Sequence, residues 1–129
     1  MGIIKKAKHM ARILLAEDDD NLREFLTRGL RRAGHTVLPA ADGDSALNLL
    51  IDDDSVDLLL ADVVMPGLDG IELARQATKR WPTLRVMFIT GFAAVALRQR
   101  EMGSRPATVL AKPFHLRQLV EEVERMLAA

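Results

Sequence analysis

Short apolar runs alternate with helix-patterned stretches along the chain. The runs at 12–16, 36–39, 56–61, 85–89 and 108–111 are short and mostly apolar, which is typical of buried strands. Apolar residues recur at helical spacing in the intervening stretches 22–33, 42–51, 70–80 and 93–100, and in a last stretch, 116–127. Five successive strand-then-helix units predict an α/β fold with a parallel sheet covered by helices on both faces.

Composition excludes several classes of protein. The chain has 129 residues, enough for one domain, and 49% of them are hydrophobic. It has no cysteine, which excludes a disulfide scaffold, a thiolate metal site and a cysteine nucleophile. No apolar run reaches the ~18 residues that span a bilayer. We therefore expect a cytoplasmic protein with no membrane partner.

The first ten residues, MGIIKKAKHM, are basic and follow no pattern. We expect 1–10 to be an expression-tag remnant and 11–129 to be the domain. Without the remnant the net charge changes from 0 to −3, because three lysines and no acids are lost. This mild acidity argues against direct binding to nucleic acid. The rest of the chain has only two lysines, Lys79 and Lys112.

Polar side chains follow four of the predicted strands. They are Glu17, Asp18, Asp19 and Asp20 after the first strand, Asp62 after the third, Thr90 after the fourth and Lys112 after the fifth. Each has an ordinary structural explanation by itself; Asp19 or Asp20, for example, can cap a helix. However, the carboxyl ends of parallel strands meet at one edge of the sheet, where ligands bind. Their coincidence predicts a functional site there.

The chemistry of these side chains favours phosphoryl transfer. Several carboxylates with open geometry suit Mg²⁺, and a lysine and a hydroxyl beside it complete a set of groups that binds a phosphoryl group. The sequence has neither of the glycine-rich motifs that bind nucleotides, Gly-x-x-x-x-Gly-Lys-Ser/Thr and Gly-x-Gly-x-x-Gly, so a bound nucleotide is not indicated. A carboxylate can itself be the nucleophile and form an acyl phosphate. Asp62 is the candidate because it ends the central buried strand.

Four segments together resemble the receiver domain of bacterial two-component response regulators. They are ILLAEDD, DLLLADVVMPGLDG, MFITG and VLAKPF, and the resemblance covers residues 11–129. It implies a flavodoxin-like (βα)5 three-layer sandwich with strand order 2-1-3-4-5. It also implies a signalling domain that catalyses only its own phosphorylation and dephosphorylation.

The resemblance also implies roles for particular residues. Asp62 would be the phosphoacceptor, with Thr90 and Lys112 as the other catalytic side chains. Mg²⁺ would be bound by Glu17, Asp18, Asp62 and the backbone carbonyl of Val64. The Lys112–Pro113 peptide bond would be cis.

The chain departs from the family pattern at the positions that transmit the signal. Val109 stands where the family usually has an aromatic switch residue, and a valine cannot swing a ring between surface and interior. We therefore expect the switch to involve Thr90, Phe92 and Val109, with displacement of the loop around Phe92 as the main route. Val64 and Phe92 also occupy positions from which a polar side chain could orient a water molecule, so we expect a long-lived acyl phosphate.

The phosphoryl group must come from another molecule. His35 is expected to be a solvent-facing turn residue and His115 a polar residue at a helix start, so neither is a credible donor. The resemblance therefore implies a sensor histidine kinase or a histidine phosphotransfer protein as partner. It places the output on the face formed by the fourth and fifth predicted helices and the fifth strand.

The downstream partner is expected to be a protein. TGFAAVALRQ, followed by AKPFHLRQLV, resembles small stand-alone receivers of alphaproteobacteria, including the cell-cycle type that primes proteolysis. That resemblance implies a protease or its adaptor machinery as target. The alternatives are a degenerate receiver that binds independently of phosphorylation, a receiver excised from a longer regulator, and an aspartyl-phosphate phosphatase. Val64 argues against the phosphatase, which needs a second aspartate there.

Overall fold

The computed structural model describes residues 8–91 and 108–129. The elements in chain order are β1 (Arg12–Ala16), α1 (Asp20–Arg32), β2 (Thr36–Ala40), α2 (Gly43–Asp52), β3 (Leu58–Asp62), α3 (Gly70–Arg80), β4 (Arg85–Thr90), β5 (Thr108–Ala111) and a C-terminal helix (Leu116–Ala128). The five strands are parallel and lie in the order β2-β1-β3-β4-β5. The predicted fold class is confirmed. The predicted helix at 93–100 and the predicted switch residue Phe92 lie outside the described residues.

Alternate side chains of the strands fill two apolar layers, one on each face of the sheet. On one face, Leu14 and Phe88 belong to a cluster with α2 and α3. On the other, Ile13 and Met87 belong to a cluster with α1 and the C-terminal helix. β3 is the central strand of the sheet, and all five of its residues are buried. Within the described ranges, no helix combines the length and apolar character needed to cross a lipid bilayer.

Aspartate side chains begin the first three helices. Asp19, Asp42 and Asp69 each accept a hydrogen bond from the backbone N–H three residues further along, at 2.9, 2.7 and 2.8 Å. These bonds satisfy N–H groups that the first turn of a helix leaves without a partner. The capping explanation is therefore correct for Asp19. The C-terminal helix begins after His115, whose side chain makes no capping bond.

Two local predictions were wrong. β3 begins at Leu58 rather than at 56, and Asp57 instead caps the neighbouring strand, accepting the Arg12 N–H at 2.9 Å. His35 is buried rather than solvent-facing, with 4% exposure. Gly34, with a φ of 109°, ends α1 in a tight turn that carries His35 under the start of β1.

β2 forms one edge of the sheet. The backbone groups of Thr36 and Ala40 form hydrogen bonds towards β1. Because backbone groups of successive strand residues point to opposite sides, those of Val37 and Pro39 point away from the sheet. The carbonyl of Val37 accepts a hydrogen bond from Arg31 Nη2 at 3.0 Å. Pro39 has no N–H to offer. This edge therefore exposes few backbone donors and acceptors.

Candidate functional site

The carboxyl ends of four strands bring the predicted polar side chains to one edge of the sheet. Glu17 follows β1, Asp62 is the last residue of β3, and Thr90 is the last residue of β4. These three side chains are buried, whereas Asp18 is exposed. Lys112 follows β5, and its backbone N–H donates to the carbonyl of Thr90 at 2.7 Å. The hydrogen bonds between neighbouring strands thus fix how far along the strand direction each of these side chains lies.

Three carboxylates converge at this edge. One oxygen atom from each of Glu17, Asp18 and Asp62 lies within 4.8 Å of the others. Carboxylates at such range repel one another unless a cation joins them. Oxygen donors with one exposed member are also what a hard divalent cation that keeps part of its water shell requires. The residues present therefore fit Mg²⁺.

Lys112 bridges two of the three carboxylates. Its Nζ lies 3.0 Å from Asp62 Oδ2 and 3.3 Å from Glu17 Oε1. Burial lowers the pKa of Lys112, but the hydrogen bonds and charges of Asp62 and Glu17 outweigh it, so the pKa is raised overall. Lys112 is thus held as an ammonium beside the Asp62 carboxylate.

Glu17 is the most perturbed acid of the site. Its pKa is raised to about 7, chiefly by burial and in addition by the charge of Asp62. The Asp19 backbone N–H, 3.0 Å from Glu17 Oε2, and the charge of Lys112 act in the opposite direction. Glu17 is both desolvated and repelled by Asp62, and this combination costs folding free energy. Acids perturbed in this way are typical of functional sites.

The loop after β3 contacts the buried Asp62 and includes an exposed residue. Val64 is 53% exposed, and its backbone N–H donates to Asp62 Oδ1 at 3.2 Å. Helix α3 begins directly against this loop: a Cβ on Gly70 would lie 2.1 Å from the Asp62 carbonyl oxygen. Only glycine permits that approach. The backbone of Asp62 is therefore fixed, and its carboxylate is held by the Val64 N–H and the Lys112 ammonium.

The other predicted residues have different positions. Val109 is half-buried and packs on the apolar cluster that contains Phe88. The Lys112–Pro113 peptide bond is cis. Sequence analysis missed Arg23, whose guanidinium donates to the backbone carbonyl of Glu17 at 3.0 Å. The only signal in the sequence was an arginine three residues after Asp20, and that pattern is also typical of a surface ion pair.

An acidic cluster, a partly buried lysine and a hydroxyl at the switch point of a 2-1-3-4-5 sheet define a signalling domain that accepts a phosphoryl group. The family model of the response regulator receiver domain matches residues 13–124. The chain belongs to this family, and hence to two-component, phosphorelay signalling.

Individual relatives agree with this assignment. The chain is 55% identical over 120 residues to the response regulator receiver protein CpdR of Brucella abortus (strain 2308), a match that covers 93% of this chain and 99% of CpdR. It is 37% identical over 118 residues to the sensor kinase CckA of the same organism, covering 91% of this chain but 12% of CckA. The solved structure of the chemotaxis protein CheY4 of Vibrio cholerae has a TM-score of 0.82 and 25% identity, covering 91% of this chain and 98% of that chain.

Proposed function

We propose that Asp62 is the phosphoacceptor and that its phosphorylation depends on Mg²⁺. The observation that carries the proposal is that the Asp62 carboxylate contacts both the Lys112 ammonium and the acidic cluster. Asp62 Oδ2 lies 3.0 Å from an ammonium, and an Asp62 oxygen also belongs to the cluster with Glu17 and Asp18. The carboxylate oxygen attacks phosphorus, and the bond from phosphorus to the donor breaks with its electron pair leaving on the donor.

Glu17, Asp18 and Asp62 hold the Mg²⁺ in this proposal, and the resemblance adds the backbone carbonyl of Val64. When bound, the metal neutralises charge on the phosphoryl oxygens. Lys112 neutralises a second oxygen, since its Nζ already faces Asp62. The Thr90 hydroxyl, buried at the end of β4, donates to a third. The domain thereby catalyses its own phosphorylation, and hydrolysis of the acyl phosphate returns it to the resting state.

The donor in this proposal is a histidine kinase or a histidine phosphotransfer protein. Similarity to the sensor kinase CckA supports this class of partner. The output is a change in protein–protein contacts on the face that includes β5 and the C-terminal helix, and the downstream target is a protein, with a protease or its adaptor machinery as the first candidate. Val109, in the place of a switch aromatic, favours a second candidate function, a binding module that ignores phosphorylation.

Intact-mass spectrometry after incubation with acetyl phosphate, with and without Mg²⁺, tests the proposal. The wild type is expected to gain one phosphoryl group only when Mg²⁺ is present. Asp62→Asn keeps the shape and removes the nucleophile, so it should gain none. Asp54→Asn, an exposed acid at the opposite end of β3, is the matched control and should behave like the wild type. Phosphorylation of the Asp62→Asn variant would refute the assignment, and an unreactive wild type would favour the binding module.

A further inference from the structure

Arg23 in the second turn of α1 reaches back to the loop that carries the acidic pair. Its Nη1 donates to the Glu17 backbone carbonyl at 3.0 Å, and its Nη2 donates to Asp20 Oδ1 at 2.6 Å. The Arg23 side chain is 22% exposed, whereas that of Asp20 is 85% exposed. A surface ion pair of this kind contributes little by itself, so the bond to the carbonyl is the more consequential of the two.

The carbonyl that Arg23 binds belongs to the peptide joining Glu17 to Asp18. The Glu17 carboxylate has its own fixed contacts, with the Asp19 N–H and Lys112. The Asp18 carboxylate is exposed, and no described residue holds it by a hydrogen bond. The direction in which Asp18 points therefore depends on the orientation of its backbone.

We propose that Arg23 is a positioning residue: by holding the Glu17 carbonyl, it aims the Asp18 carboxylate at the cation and thereby sets the affinity for Mg²⁺. The inference rests on the proposed function, because it assigns Arg23 to the same metal site. A guanidinium suits this role because its planar fork donates to two acceptors at fixed angles.

Charge and position predict opposite effects of losing Arg23. A positive charge near a cation site repels the cation, so removing the charge alone tightens Mg²⁺ binding. Removing the bond to the Glu17 carbonyl frees the Asp18 backbone and weakens binding. Arg28 lies on the same helix, pairs with Glu24 at 2.8 Å and is 72% exposed, so it provides a variant that changes charge without changing the loop.

Isothermal titration calorimetry tests the inference by measuring the Kd for Mg²⁺ of the unphosphorylated protein. The proteins compared are the wild type, Arg23→Gln, Arg23→Lys and Arg28→Gln. The Kd of Arg23→Gln is expected to rise about three- to tenfold, a loss within the range of one ordinary hydrogen bond. Arg23→Lys keeps the charge but not the fork, and its Kd should rise as well. The Kd of Arg28→Gln should stay unchanged or fall slightly. Thermal melting without Mg²⁺ shows that each variant is folded.

A second measurement separates positioning from general damage. In phosphorylation by acetyl phosphate, saturating Mg²⁺ should restore the rate of Arg23→Gln to near the wild-type value, because only the KM for the metal has changed. Equal or tighter Mg²⁺ binding by Arg23→Gln overturns the inference, as does wild-type affinity in Arg23→Lys or a rate that Mg²⁺ does not restore. Absence of Mg²⁺ binding by the wild type would instead overturn the proposed metal site, and this inference with it.

Discussion

His35 occupies a buried position in which its ring must stay neutral. Its Nδ1 accepts the N–H of Ala11 at 3.1 Å, so the ring proton is on Nε2, for which the described residues provide no acceptor. Burial lowers the pKa of His35, and the charge of Glu124 opposes this only in part. Protonation of Nδ1 would remove the bond that ties the turn after α1 to Ala11, directly before β1.

This arrangement predicts a loss of stability in mild acid. An unfolded histidine titrates at about 6.5, and the folded pKa is lower, so the unfolded state binds more protons between the two values. The contribution of His35 is fully present above about pH 6.5 and is lost as the pH falls towards the folded pKa. Urea unfolding from pH 7 to 5 should therefore show a smaller pH slope in His35→Asn, which keeps an acceptor without titrating. His115→Asn, an exposed control, should retain the wild-type slope, and an equal slope in all three proteins would contradict the prediction.

Val64 predicts slow loss of the phosphoryl group. It is exposed beside Asp62 and cannot orient a water molecule for attack on phosphorus. Val64→Asn supplies a side chain that can, so the acyl phosphate should decay faster in this variant, about tenfold where one positioned water limits the rate. Decay is followed by intact mass after removal of the phosphodonor. An unchanged half-life would mean that another feature of the site controls the lifetime.

At the scale of elements, the start of α3 fixes the backbone of the proposed phosphoacceptor. A Cβ at Gly70 would meet the Asp62 carbonyl oxygen, which is backbone and cannot move aside cheaply. Gly70→Ala should therefore lower the free energy of unfolding by about 2–3 kcal/mol and slow phosphorylation of Asp62. Gly91→Ala is the control, since a Cβ there meets nothing within 4 Å and the variant should lose far less stability. Denaturant titration of both variants checks this, and equal losses would disprove the steric account.

Strands and helices were predictable from sequence where their limits are set locally. β1, β5 and α3 begin and end where the pattern predicts, because polar residues, Pro82 or a helix cap stop them within the segment. β3 begins two residues later than predicted because Asp57 bonds to Arg12, a contact that no local pattern reveals. His35 was misjudged for the same reason, since its burial depends on Ala11.

In the site, too, what topology determines was predictable and what individual contacts determine was not. That Glu17, Asp62, Thr90 and Lys112 meet was predictable, because strand topology alone places them at one edge. The contacts between them were not, since a bridging ammonium at 3.0 Å and the raised pKa of Glu17 depend on how deeply each side chain is buried. Arg23 was missed because its main acceptor is a backbone carbonyl, which has no signature in the sequence.

At the scale of the whole molecule, repulsion among the three converging carboxylates opposes folding, and a cation bound between them would relieve it. Mg²⁺ binding only to the folded state should raise the melting temperature, by the equivalent of about 2.7 kcal/mol at a hundred times Kd. Asp18→Asn should abolish most of that rise yet melt higher than the wild type without metal, because one repelling charge is gone. Thermal scans with and without Mg²⁺ measure both effects, with Asp54→Asn as control. Equal shifts in wild type and Asp18→Asn would count against the site.

The protected edge of β2 limits how this protein can associate. An unprotected edge strand invites another chain to extend the sheet, which leads to open-ended assembly and aggregation. Here Arg31 already occupies the Val37 carbonyl, and Pro39 interrupts the row of donors. Recognition on this side therefore relies mainly on side chains, whose shape and charge can discriminate between partners. An edge with so few free backbone groups gives a passing strand little to bind, which favours a protein that stays free of open-ended assembly.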